Sequence, residues 1–341
     1  MQTEERVKAL NYCTQAIEQL ESGMRTVRKD MPGILNAHHV LVRLLRESVK
    51  FILPNCAELV DMGELRQAHL DLARLPFPVV ALESPWVFVG NEGEDKPGCH
   101  RSTKRIALCV TMGPELAELL PDTGKFLKEE HGGVVVYSLY WNDATSRWTL
   151  PIGGVFVPHQ NEVADYVPEE ATFLDHLASD WLLEVNPAYS RLQKFNVAPT
   201  ILMPEKFDHC CLELGLERTL ACIIKETREE VGAFLQASVM LNCANVRLGD
   251  VAAPSLLNKK RKAKGKPPFF SYHVLQVEAP RSGAASAGGH HASPRGHLRR
   301  GHIRRLQDRM VWVRPALVNP SATGEMIHKD YSLSPSREVK R

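Results

Sequence analysis

The sequence predicts an α+β protein: an acidic body of N-terminal helices and an antiparallel sheet, then a long helix, then a basic four-stranded antiparallel module at the C-terminus. Three observations carry this. Apolar residues recur at helical spacing in residues 3–28, 37–52, 58–74 and 203–236. Stretches rich in Val, Ile, Tyr and Trp alternate with turn residues elsewhere. The charge also divides abruptly near residue 259. Residues 259–341 hold 18 Lys and Arg against 5 Asp and Glu, whereas residues 1–258 hold 24 against 35, so that a net charge of +2 conceals halves of +13 and −11.

The first helix carries Val7, Leu10, Ala16, Ile17 and Leu20 on one side, and Pro32-Gly33 is expected to stop it. The second presents Val40, Leu41, Leu44, Leu45, Val49 and Ile52, and a third spans residues 58–74. Strands are expected at 78–82, 104–111, 133–140 and 147–158, with a polar loop over 90–103 and a hairpin turn at Asn142-Asp143. This sheet reads as antiparallel, with no nucleotide-binding βαβ unit. Gly153-Gly154 is a lone pair inside a strand-like run, not a phosphate loop. Helical patterning returns at 168–183 and over 203–236, where Glu226, Glu229 and Glu230 read as a solvated face. Residues 258–266 are so rich in lysine that they read as a flexible basic linker or loop, closed by Pro267-Pro268. Beyond it, strands are expected at 269–277, 297–306, 311–317 and 325–333, with a Gly/Ala/Ser-rich loop over 282–293. The chain therefore divides into a body (1–200), a long helix with its connector (201–258) and a basic module (259–341).

Composition narrows the function. At 341 residues, with 44% hydrophobic and 24% charged residues, the chain can bury a sizeable core. No apolar run is long enough to span a bilayer, and the polar start is unlike a secretory signal, so the cytoplasm of a bacterial host is expected and no membrane partner. Eight scattered cysteines form no C-x-x-C pair and read as free core thiols. His209-Cys210-Cys211 invites a metal, but adjacent cysteines ill suit one tetrahedral ion and no second cluster matches; no metal or cofactor is expected.

The chemistry-bearing candidates lie in the basic module. Lys259, Lys260, Arg261, Lys262 and Lys264, with Arg299, Arg300, Arg304 and Arg305, are the expected contacts to a polyanion, since guanidinium forks match phosphate oxygens. On a strand, Arg300, His302 and Arg304 share one face while His297, Arg299, Ile303 and Arg305 share the other, and Gly301 marks a candidate bulge. Two histidines of near-neutral pKa, with Lys329 and Tyr331 on a neighbouring strand, suit general acid–base chemistry on an RNA phosphodiester. Tyr272, Trp312 and Tyr331 offer rings for base stacking, although Trp312 between two valines also fits a core. A basic surface without chemistry accounts for the same residues.

The runs Leu257-Asn-Lys-Lys-Arg, Lys264-Gly-Lys-Pro-Pro and Tyr272-His-Val-Leu, then His297-x-x-Arg300-Gly-His302-x-Arg304, Val311-Trp-Val and Lys329-Asp-Tyr331, together resemble a recurrent C-terminal pattern of phage, prophage and mobile-element proteins. Residues 75–83, Leu-Pro-Phe-Pro-Val-Val-Ala-Leu-Glu, resemble the same group. The resemblance implies a phage-like setting and transfers no activity. A helix followed by a four-stranded antiparallel sheet bearing His, Arg, Lys and Tyr is also similar in architecture to small, metal-independent bacterial ribonucleases and ribonuclease toxins, by analogy alone. The expected function is nucleic-acid binding, RNA or DNA, with metal-independent ribonuclease activity as its enzymatic form. The alternatives are an adaptor or inhibitor binding a host protein, and a virion component contacting packaged DNA.

Overall fold

The computed structural model describes residues 7–59, 65, 67–87, 102–125, 127, 132–163, 195–243 and 245–277, and as backbone strands 297–299, 302–305, 310–313 and 316–318. Its centre is a nine-stranded mixed sheet in the order β7-β6-β4-β3-β2-β1-β9-β8, with β5 paired to β4. The strands are β1 (Val49–Ile52), β2 (Val79–Pro85), β3 (Lys104–Thr111), β4 (Gly133–Asn142), β5 (Arg147–Thr149), β6 (Gly153–Pro158), β7 (Ala198–Ile201), β8 (Val246–Val251) and β9 (Tyr272–Val277). The helices are α1 (Tyr12–Gly23), α2 (Pro32–Glu47), α3 (Gln67–Asp71), α4 (Pro114–Leu119), α5 (Pro204–Leu214), α6 (Leu216–Leu241) and α7 (Ser255–Ala263).

The α+β expectation holds, but the sheet is mixed rather than antiparallel throughout. β1 runs parallel to both β2 and β9, so β1, α3 and β2 form a parallel crossover within an otherwise antiparallel sheet. The central strands are buried on both faces, which explains why β3 reads as the continuous apolar run Ile-Ala-Leu-Cys-Val rather than as an alternation. On one face Val80, Leu82, Cys109, Val134, Val136 and Val155 pack on Val231 and Phe234 of α6. On the other, Ala81, Ile106, Leu108, Val135 and Tyr137 pack on Ile17 and Leu20 of α1 and Leu41 and Leu45 of α2. Two helical layers thus cover one sheet.

Several boundaries shift for identifiable reasons. Pro32 opens α2 instead of ending α1, because a proline at the first helical position forfeits an N–H that has no helical partner anyway. α2 stops at Glu47, and Val49–Ile52, in which Val, Phe and Ile favour a strand, enter the sheet as β1. The helix expected over 203–236 is two, broken at Gly215. The stretch 147–158 divides into β5 and β6. Residues 258–266 are not a flexible linker: most belong to α7, as expected of lysine and leucine, which are good helix formers. The strand expected to open the basic module is β9, which pairs with β1 and β8 inside the main sheet. The loop over 90–101, the helix over 168–183 and the strand over 325–333 lie outside the described residues.

Candidate nucleic-acid interface

At one end of the sheet the chain leaves β8 at Val251, forms α7 and returns as β9. Gly265, at φ +64, ends the helical turn in a backbone region that other residues rarely adopt, and Pro267-Pro268 cannot extend it. Two residues three apart hold the helix down. Asn258 donates from Nδ2 to the Phe269 carbonyl and accepts the Phe269 N–H at Oδ1, both at 2.8 Å. Arg261 donates from Nε to the Pro267 carbonyl at 2.6 Å, pairs with Glu18 of α1 and lays its guanidinium 4.2 Å from the Phe269 ring centroid.

With that side fixed, Lys259, Lys260, Lys262, Lys264 and Lys266 are exposed. No Asp or Glu occurs between residues 251 and 272, so these ammonium groups have no counterion in their own segment. Lys260 and Lys262 also lie in the last turn, where positive charge complements the helix dipole. The arrangement is a cluster of exposed cations on and just after one helix, able to neutralise phosphates or other anions. Of the five expected contacts on this segment, four lie on the open side, and Arg261 is taken up in pinning the helix.

The arginine- and histidine-bearing strands are β10 (His297–Arg299) and β11 (His302–Arg305), and their partners are β12 (Met310–Val313) and β13 (Ala316–Val318). β10 pairs antiparallel with β13, from His297 opposite Val318 to Arg299 opposite Ala316, and β11 pairs antiparallel with β12, from His302 opposite Val313 to Arg305 opposite Met310, as two two-stranded ladders. His297 and Arg299 belong to β10, and His302, Arg304 and Arg305 to β11; Arg300, Lys329 and Tyr331 lie outside the described residues.

Two buried charged clusters escaped the sequence reading. In the first, Glu230 of α6 is 2% exposed, not part of a solvated face, and pairs with Arg105 of β3 at 3.1 Å. The guanidinium of Arg105 lies 4.6 Å from the Trp86 ring centroid. Burial pushes the Glu230 carboxyl above its ordinary range while Arg105 opposes that shift. The signal was positional: Glu230 falls seven residues after Ile223 and four before Phe234, on the sheet-facing side of the helix.

In the second, the fully buried Glu83 of β2 accepts the Tyr12 N–H at 2.9 Å, the Cys13 N–H at 2.7 Å and the Tyr272 hydroxyl at 2.8 Å. It caps α1, whose own N-cap residue, Asn11, makes no side-chain cap bond. Lys50 donates nearby to the Ser48 carbonyl at 2.7 Å, its ammonium 3.9 Å from the Phe270 ring centroid. Burial, reinforced by Glu83, pushes the Cys13 thiol well above its usual range, so it is no nucleophile. This cluster is a structural clasp.

Among the described residues no group of three or more His, Cys, Asp or Glu side chains is arranged to hold a metal ion, and His209 pairs instead with Glu213 at 3.3 Å. Among the same residues no helix is long and apolar enough to cross a membrane. No protein-family model matches the chain, and no curated protein or solved structure was found to be similar to it.

Proposed function

We propose that the chain binds nucleic acid through the exposed lysines of α7, with strands β10 and β11 as a second contact, in a phage or mobile-element setting. The observation that carries this reading is the set of five exposed lysines on and just after α7, within a segment that holds no carboxylate. A cluster of exposed ammonium groups suits a polyanion, because neutralising phosphates releases condensed counterions without requiring base recognition. The charge division of the chain and the arginines of β10 and β11 agree with it. The phage-like setting is supported by the C-terminal sequence pattern.

The enzymatic form of the proposal is metal-independent cleavage of RNA. His297 and His302 would act as base and acid, Arg300 and Arg304 would hold the phosphate, and Lys329 or Tyr331 would stabilise the charge that develops. The test is to incubate the purified protein with labelled RNA and DNA in EDTA, reading mobility shift and cleavage together. Binding that weakens steeply with salt, whatever the sequence, supports the interface. Cleavage that disappears in His302→Ala supports the ribonuclease. Cleavage retained in that variant removes His302 from the chemistry. The absence of any binding overturns the proposal in favour of an adaptor docking on a host protein.

A further inference from the structure

We propose that the chain also associates with itself head to tail, the leucine corner between α5 and α6 of one copy docking on α7 of the next. At the corner Leu212, Leu214 and Leu216 are 87%, 44% and 49% exposed. On α7, Leu256 and Leu257 are 73% and 51% exposed, beside the lysines. Neither pair of observations is explained by phosphate binding, which makes no use of leucine. Apolar side chains grouped on a surface and rimmed by charge mark a contact with another protein.

The two patches are opposite in charge. Residues 212–218 read Leu-Glu-Leu-Gly-Leu-Glu-Arg, two carboxylates to one guanidinium, whereas residues 255–264 carry five cations and no acid. Glu213 and Glu217 at the corner are exposed, as are Lys259 and Lys260 on the helix. Leucine would meet leucine at the centre and carboxylate would meet ammonium at the rim, which sets orientation and speeds encounter.

Position decides which molecule supplies the partner surface. The corner stands at the β7 end of the sheet, because Phe207 of α5 and Ile223 of α6 pack together on Ile201 of β7. α7 joins β8 and β9, the two strands at the other edge of the sheet. The complementary patches are thus separated within one copy and meet between copies. Since they are different surfaces, the contact is heterologous and does not close on a twofold axis; it adds copies in a row. Few residues take part, so the association is weak and is screened by salt.

The experiment is sedimentation velocity on nuclease-treated full-length protein at low and high salt. The parent is expected to form concentration-dependent species larger than a dimer at low salt and to return to monomer at high salt. Leu212→Asp and Leu256→Asp, both at open surface positions that leave the fold intact, are each expected to stay monomeric. Mixed one to one, they are expected to form a dimer and nothing larger, because the intact α7 of the first docks on the intact corner of the second. A parent that is monomeric at every concentration overturns the proposal, as does a closed dimer indifferent to both substitutions. Association that disappears on nuclease treatment assigns the contact to bridging nucleic acid and overturns self-docking while leaving the proposed function standing.

Discussion

Tyr272 donates its hydroxyl to the buried carboxylate of Glu83 across 2.8 Å, joining β9 to β2 although β1 lies between them in the sheet. Because Glu83 also caps α1, the bond couples the strand that follows the lysine helix to the first helix of the body. Tyr272→Phe removes the hydroxyl and keeps the packing. An intramolecular hydrogen bond contributes about 0.5–1.5 kcal/mol, and that loss is expected in urea titrations as a lower midpoint at unchanged slope. A variant as stable as the parent would show that the clasp contributes nothing.

A second distant carboxylate caps α2. Glu205 of α5 accepts the Gly33 N–H at 2.6 Å and the Ile34 N–H at 3.0 Å, in place of a local cap that Met31 does not supply. The approach requires glycine: a Cβ on residue 33 would sit 2.5 Å from Pro204 Cγ and 2.7 Å from Glu205 Oε2. Glu205→Ala is expected to cost about 0.5–2 kcal/mol, the range for losing a cap. Gly33→Ala is expected to cost at least as much, because it displaces α5 as well as the cap. Combining the two should cost less than their sum, since both break one contact; thermal unfolding of the single and double variants measures this.

Glu230 sets a pH dependence. Burial raises its folded-state pKa above the ordinary 4.5, so the folded protein holds this proton more tightly than the unfolded chain does. Its contribution to stability is therefore complete below that ordinary value and is lost as pH rises through the folded one. Glu83, raised by burial in the same direction, adds a parallel decline. Glu230→Gln, which imitates the protonated form, is expected to gain on the parent as pH rises across this window, with the remaining decline belonging to Glu83. Unfolding free energies measured over a pH series would contradict this if parent and variant stayed a constant distance apart.

How much of this was legible in the sequence depended on how local the deciding physics was. β3 came out at its full extent, Lys104–Thr111, because β-branched and apolar residues run uninterrupted between turn signals. α6 was recognisable from Leu220 to Phe234 because its core side repeats every three or four residues. The parallel placement of β1 was not readable: four residues following a helical pattern become a strand only because β2 and β9 flank them. These glutamates were missed for the same reason, since Glu83, Glu205 and Glu230 acquire their roles from partners 70, 171 and 125 residues away. At the interface the lysines were apparent from composition, but the helix that orders them depends on Asn258 and Arg261 gripping the returning chain.

That division of labour on α7 yields the sharpest separation between binding and folding. Lys259, Lys260, Lys262 and Lys264 are exposed, so replacing any of them with alanine is expected to shift stability by no more than about 0.5 kcal/mol. Each that contacts a phosphate should lower the slope of log affinity against log salt by about 0.9 on duplex DNA or about 0.7 on a single strand. Arg261 is the reverse case. Its bond to Pro267, its pairing with Glu18 and its stacking on Phe269 all serve the fold, so Arg261→Ala should lower the unfolding midpoint clearly. Arg261→Lys should not restore it, because an ammonium can neither stack as a plane nor reach two acceptors as a fork. Salt titrations of binding beside thermal melts of the same five alanine variants distinguish the roles. If Arg261→Ala alone flattened the salt slope and left the melting temperature unchanged, the guanidinium would be reading phosphate and the pinning role would be wrong.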